Sequence, residues 1–138
     1  MSAKDVYHDT VKVALQKEGW VITHDPLVLG LSSGRLEIDL GAEMLIAAQR
    51  EDAQIAVEIK SFLAPSLISE FHIALGQFLN YRVALRLKEP DRELFLAVPV
   101  KTYRNFFSGE LAQLSIAEYN VKLLIFNPDR EEIVIWSN

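Results

Sequence analysis

The segment Ile55-Ala56-Val57-Glu58-Ile59-Lys60 sets a carboxylate and an ammonium group two residues apart inside an aliphatic, β-branched run. On a strand, the side-chain period of two puts Glu58 and Lys60 on one face. A second acid, Asp39, interrupts another apolar run, Leu36 to Gln49, and Glu43 follows it. The runs Leu36 to Gln49 and Gln54 to Phe62 flank the polar cluster Arg50-Glu51-Asp52-Ala53 and read as a hairpin. With an even number of loop residues, odd positions of the first strand pair with even positions of the second. Asp39, Glu43, Glu58 and Lys60 then share a face, three carboxylates beside one ammonium. Burying such charges unpaired costs several kcal/mol per ion, so the arrangement requires a cation or a hydrogen-bond network. A hard divalent ion, Mg²⁺ or Mn²⁺, takes a few carboxylate oxygens plus water and phosphate, and Asp39, Glu58 and the Ile59 carbonyl are the candidate ligands. Lys60 would then orient a nucleophile or stabilise charge developing on phosphate.

Simpler readings compete at each position. Glu58 and Lys60 could form a solvated ion pair on a strand edge, worth at most about 1 kcal/mol. Asp39, ahead of Leu40-Gly41, could end a strand, and Glu43 is as readily a solvated strand residue. His8, His24 and His72 lie in three segments without metal-ligand spacing and read as structural. Tyr103, Phe106 and Phe107 read as core in preference to a base-stacking platform, and Arg82, Arg86 and Lys88 as a solvated helix face in preference to a phosphate-facing patch.

The elements around these residues follow from periodicity. Val6, Tyr7, Val11, Ala14 and Leu15 recur at helical spacing, predicting a helix over Ser2 to Glu18, with Ser2 and Asp5 as caps and Gly19 as its stop. Trp20 to Thr23 reads as a short strand, Asp25-Pro26 as a turn and Gly30 to Gly34 as a loop. After the hairpin, Ala64-Pro65-Ser66 breaks the chain. Ser66 or Ser69 then caps a helix to about Lys88, whose apolar stripe includes Phe71, Ala74, Phe78 and Leu85. A buried strand at Leu94 to Val98, short helices at Tyr103 to Phe107 and Gly109 to Leu114, and strands at Val121 to Phe126 and Glu132 to Trp136 complete the order. The class is α/β in the broad sense (α+β), a mixed sheet flanked by helices.

The chain has 138 residues, half of them apolar, enough for one core and too few for two ordinary domains. A single domain over residues 1–138 is expected. With no cysteine, disulfides, thiolate metal sites and cysteine nucleophiles are excluded. Apolar stretches are far shorter than the roughly 20 residues of a membrane helix, and the N-terminus shows no signal-peptide core, so a cytoplasmic location without membrane contact is expected. A net charge of −5 argues against tight nucleic-acid binding by bulk electrostatics, so DNA contact would have to be local, metal-assisted or shared with a partner.

The spacing from Asp39 to Glu58-Ile59-Lys60, with a helix before it and a Gln77-bearing helix after it, resembles the PD-(D/E)XK superfamily of restriction-endonuclease-like folds. The strings Ile38-Asp39-Leu40-Gly41-Ala42-Glu43, Val57-Glu58-Ile59-Lys60-Ser61-Phe62 and Ala74-Leu75-Gly76-Gln77-Phe78 are similar to XisH-type proteins of cyanobacteria, and the similarity runs to Trp136. The resemblance implies Asp39 and Glu58 as metal-binding carboxylates, Lys60 as the catalytic lysine and Gln77 as a glutamine placed beside the site. Ile38 stands where the superfamily's motif has a proline. The resemblance also implies a further acid from the N-terminal helix, for which Asp5, Asp9 and Glu18 are candidates. XisH-type proteins are excision-controlling factors acting with a recombinase and a XisI-type companion in removing a DNA element during heterocyst development. The resemblance thus implies a Mg²⁺-dependent endonuclease-like role in DNA rearrangement. The alternative is a catalytically silent assembly subunit binding a XisI-type partner. No recombinase nucleophile is visible, and a homodimer is expected if two strands are to be cut.

Overall fold

The computed structural model describes residues 4–46 and 51–137. Its elements are α1 (His8–Lys17), β1 (Val21–His24), β2 (Leu27–Leu31), β3 (Gly34–Ile38), β4 (Leu40–Ile46), β5 (Glu51–Ile59), α2 (Leu67–Lys88), β6 (Arg92–Pro99), α3 (Val100–Asn105), α4 (Glu110–Tyr119), β7 (Leu123–Asn127) and β8 (Glu132–Ser137). Six strands form a mixed sheet in the order β1-β4-β5-β6-β7-β8, and β2 and β3 form a separate two-stranded ribbon. The β5–β6 and β6–β7 pairs are parallel and the others antiparallel.

Alternation along β5 divides the core between the two faces of this sheet. Ile55, Val57 and Ile59 pack with Val11 and Leu15 of α1, Phe95 and Phe126. Ala56, between them, faces the cluster of Phe71, Ala74 and Phe78 from α2 together with Leu96 and Ile125. Glu58 follows the parity of Ala56 and so lies on the α2 face.

Several boundaries differ from those the sequence predicts. The run Leu36 to Gln49 is two strands, not one, because the chain leaves the ribbon after Ile38 and joins the main sheet at Leu40, with Asp39 between. The Gly30 to Gly34 segment is no loop. Gly30 and Leu31 belong to β2, and only Ser32-Ser33 turns, with Gly34 at φ 137 opening β3. Glu51, Asp52 and Ala53 of the expected turn belong to β5, and Arg50 lies outside the described residues. Helix α1 begins at His8 because the Asp5 carboxylate accepts the Tyr7 N–H at 2.9 Å, folding the preceding residues into a turn. Ser2, the other predicted cap, lies outside the described residues.

Helix α2 has the extent its cap and stripe predict: the Ser66 side chain accepts the Ser69 N–H, and the helix runs to Lys88. The last two helices are displaced from their predicted spans, to Val100–Asn105 and Glu110–Tyr119. Pro99, lacking an N–H and holding extended backbone at the N-cap, starts α3 earlier than its aromatics suggest. Asn120, in the left-handed conformation at φ 52, ends α4. No helix among the described residues is long and apolar enough to cross a membrane.

Candidate functional site

The antiparallel register places Leu40 opposite Val57 and Glu43 opposite Gln54, the odd-to-even pairing that sets Asp39 beside Glu58. Each carboxylate accepts a backbone N–H from the other's strand or its start. Asp39 N–H donates to Glu58 Oε1 at 3.3 Å, and Ile59 N–H donates to Asp39 Oδ2 at 2.7 Å. Each acid thus takes up an amide at the point where β4 begins and β5 ends. The Lys60 ammonium lies 3.7 Å from Glu58 Oε2, and its backbone N–H donates to Ala97 O on β6. The pair is shielded from water: the side chains of Lys60 and Glu58 are 18% and 8% exposed.

Two acids in so little water cannot both ionise freely. Burial, then the Asp39 charge, pushes the Glu58 carboxyl up to about 8, and Lys60 offsets only part of that. Burial also raises Asp39, against the lowering pull of the Ile59 amide and Glu58. One ammonium does not balance two carboxylates. The donor set, two converging carboxylates with the Ile59 carbonyl at the end of β5, suits a hard divalent cation that keeps part of its water shell. Among the described residues no group of three or more His, Asp or Glu side chains gathers in a metal-holding arrangement.

Of the three N-terminal acids, only Asp5 reaches this end of β5: its Oδ2 accepts the Ser61 N–H at 3.0 Å, next to Lys60. Its charge also raises Asp39. Glu18 instead accepts the Trp136 indole N–H at 3.0 Å, and Asp9 is exposed, its charge acting on Lys12. Glu43 shares the parity of Asp39 but is held by Gln54 Nε2 at 3.1 Å, farther along the hairpin. Gln77 is half-buried on α2, with Oε1 buried and unpartnered among the described residues. No hydrogen bond there joins it to Asp39, Glu58 or Lys60. It stands one helical turn before Tyr81, on the same face.

Two neighbours escaped the sequence reading. Tyr81 is pushed up to about 12, first by burial and then by the charges of Glu58 and Asp39. His8 is 4% exposed, binds Asp25 Oδ1 through Nε2 at 2.6 Å, and lowers Asp39 by its charge. Asp25 also accepts from Lys12 at 2.8 Å. The signal for Tyr81 was its place one turn beyond Gln77. For His8 there was none, because its partner is 17 residues away in sequence. Downstream, Glu70 in the first turn of α2 accepts the Phe62 and Ala64 N–H groups at 3.2 and 3.1 Å, anchoring the connection out of the site. That leaves Phe62 at φ 55, its ring edge-on to Phe107.

A family model described as XisH protein matches residues 1–134. The chain is similar to an XisH family protein from Nostoc punctiforme PCC 73102 whose crystal structure is known, at 50% identity and a TM-score of 0.88, covering 97% of this chain and 100% of that one. It is similar as well to the crystal structure of a fdxN element excision controlling factor protein from Anabaena variabilis, at 48% identity and a TM-score of 0.88, covering 98% of this chain and 100% of that one. No curated protein matches it.

Proposed function

Because the chain belongs to the XisH family, we propose that it is a controlling factor in the excision of a DNA element, acting through a metal-dependent endonuclease-like site of PD-(D/E)XK type built from Asp39, Glu58 and Lys60. The observation that carries this reading is the buried acid pair at the joint of β4 and β5, with one lysine beside it and Glu58 raised to about 8. Asp39, Glu58 and the Ile59 carbonyl would hold Mg²⁺ or Mn²⁺. Such an ion would supply Lewis acidity toward a phosphate oxygen and an attacking water near neutral pH. Lys60 places its ammonium beside Glu58, where it orients a water or meets charge developing on phosphate. Asp5, tied to the Ser61 amide, fixes the strand end from which Lys60 projects. Gln77 stands on the helix covering this face, one turn before Tyr81, whose phenol feels the Glu58 and Asp39 charges.

The first test is calorimetric titration of Mg²⁺ or Mn²⁺ into the wild type and Glu58→Ala. Binding present in the first and lost in the second supports the site, followed by Mg²⁺-dependent DNA cleavage that disappears in Lys60→Ala with the fold intact. A wild type that binds neither ion refutes it.

A second reading, a catalytically silent subunit that assembles with a XisI-type companion and through it with recombinase machinery, draws on the net charge of −5. A nuclease gripping DNA unaided usually presents more positive surface. Co-purification of the two proteins tests it, and failure to form a complex removes it.

A further inference from the structure

We propose that the cavity between the C-terminal half of α2, the start of β6 and the α4–β7 connection is a binding site for a phosphate group, with the Arg82 and Arg86 guanidinium groups as its charge partners. This cavity, of about 200 Å³, lies away from the acidic pair and does not depend on the reading given above for it. In a chain with 14 basic and 19 acidic residues, its wall carries Arg82, Arg86, Arg92 and Lys122 against the single acid Glu93.

The charges pair unevenly. Lys122 is bonded to Glu93 at 3.0 Å, and Arg92 is bonded to Glu89 at 2.8 Å and to the Ile55 carbonyl at 3.0 Å. Each of these cations is neutralised. Arg82 donates Nη1 to the carbonyls of Tyr119 and Asn120 at 2.7 and 3.1 Å, which fixes the side chain without cancelling its charge. Its guanidinium carbon also lies 5.4 Å from the centre of the Phe78 ring. Arg86 makes no ion pair among the described residues. Two positive charges therefore face one cavity, and the Arg86 charge, after burial, lowers Arg82. One guanidinium fork held in place at Arg82 and a second, unpaired among the described residues, at Arg86 line a cavity with room for a tetrahedral anion and match a ligand carrying up to two negative charges. Phosphate presents that charge and the bidentate oxygen edge guanidinium recognises.

The test is calorimetric titration of metal-free protein with inorganic phosphate, and with matched oligonucleotides with and without a 5′-phosphate, each against chloride of equal ionic strength. The Arg86 variants leave the acidic pair intact, so binding that they weaken reports this cavity and leaves the nuclease reading untouched. Arg86 is exposed, so Arg86→Gln and Arg86→Glu should fold. We expect phosphate-specific binding in the wild type, weakened about tenfold or more by Arg86→Gln and abolished by Arg86→Glu. Preference for the 5′-phosphorylated oligonucleotide would identify a terminal phosphate as the source. Equal binding of both would identify the backbone, and binding of inorganic phosphate alone the free anion. A wild type that responds to phosphate no more than to chloride, or an Arg86→Glu variant that binds as tightly as the wild type, overturns the proposal.

Discussion

Replacing Glu58 by glutamine should change how stability depends on pH more than it changes stability itself. The carboxyl is raised from an ordinary 4.5 to about 8, first because burial penalises its charge and then because Asp39 repels it. Between those values the unfolded chain has released this proton and the native protein still holds it. Unfolding stability therefore falls as pH rises, by about 1.4 kcal/mol per pH unit, to a ceiling of about 5 kcal/mol above pH 8. Glutamine keeps an oxygen to accept the Asp39 N–H and removes the charge. Below pH 8 the native Glu58 is protonated and gives Lys60 no anion to lose, and the Lys60 attraction to the ionised form is already contained in the value of about 8. Urea unfolding at pH 5, 6.5, 8 and 9 in chelator should show wild-type stability declining relative to Glu58→Gln by several kcal/mol. Saturating Mg²⁺ should lift the alkaline limb of the wild type and leave that of the variant unchanged. Parallel pH profiles for the two proteins in chelator would refute the account of a buried, uncompensated carboxylate.

Three further outcomes follow from the same geometry. Ultraviolet titration of wild type minus Tyr81→Phe should show one phenol ionising near 12, and in the Glu58→Gln background that phenol should ionise lower yet stay above its ordinary 10, since burial is the larger cause. Ser66→Ala removes the side-chain acceptor of the Ser69 N–H and should cost about 1 kcal/mol in chemical denaturation, with no change at the acidic pair. Phe78→Ala, which empties a fully buried position under α2, should cost about 3–5 kcal/mol and lower the melting temperature steeply.

The acid pair was legible because a strand has a period of two and the hairpin parity needed only an even loop. Leu40 opposite Val57 is that parity realised. Helix α2 was legible because the Ser66 cap and the Phe71, Ala74, Phe78 and Leu85 stripe agree. The ribbon was not, since two glycines and two serines within five residues look like a loop when the pairings of Gly30 with Arg35 and Leu31 with Gly34 are unknown. Asp39 was read inside a strand, and nothing local shows that the chain changes sheets there. The choice among Asp5, Asp9 and Glu18 depended on an amide 56 residues away from Asp5, and no periodicity encodes such a contact. The Arg82–Arg86 pair looked like a solvated face because the elements that wall it in, β6 and the α4–β7 connection, come later in the chain.

The change of sheets at Asp39 also bears on how the protein tolerates insertion. Among the described residues, ribbon strands β2 and β3 pair with each other and not with the main sheet, so an added segment at the exposed Ser32-Ser33 turn would leave every rung of the six-stranded ladder in place. The same would not be true at the β5 end, where one extra residue after Ile59 would carry Lys60 to the opposite face of the sheet. Tags, fluorophores or fused domains therefore belong at the ribbon tip, which offers a reporter site on the α2 side of the molecule without altering the spacing of the carboxylates.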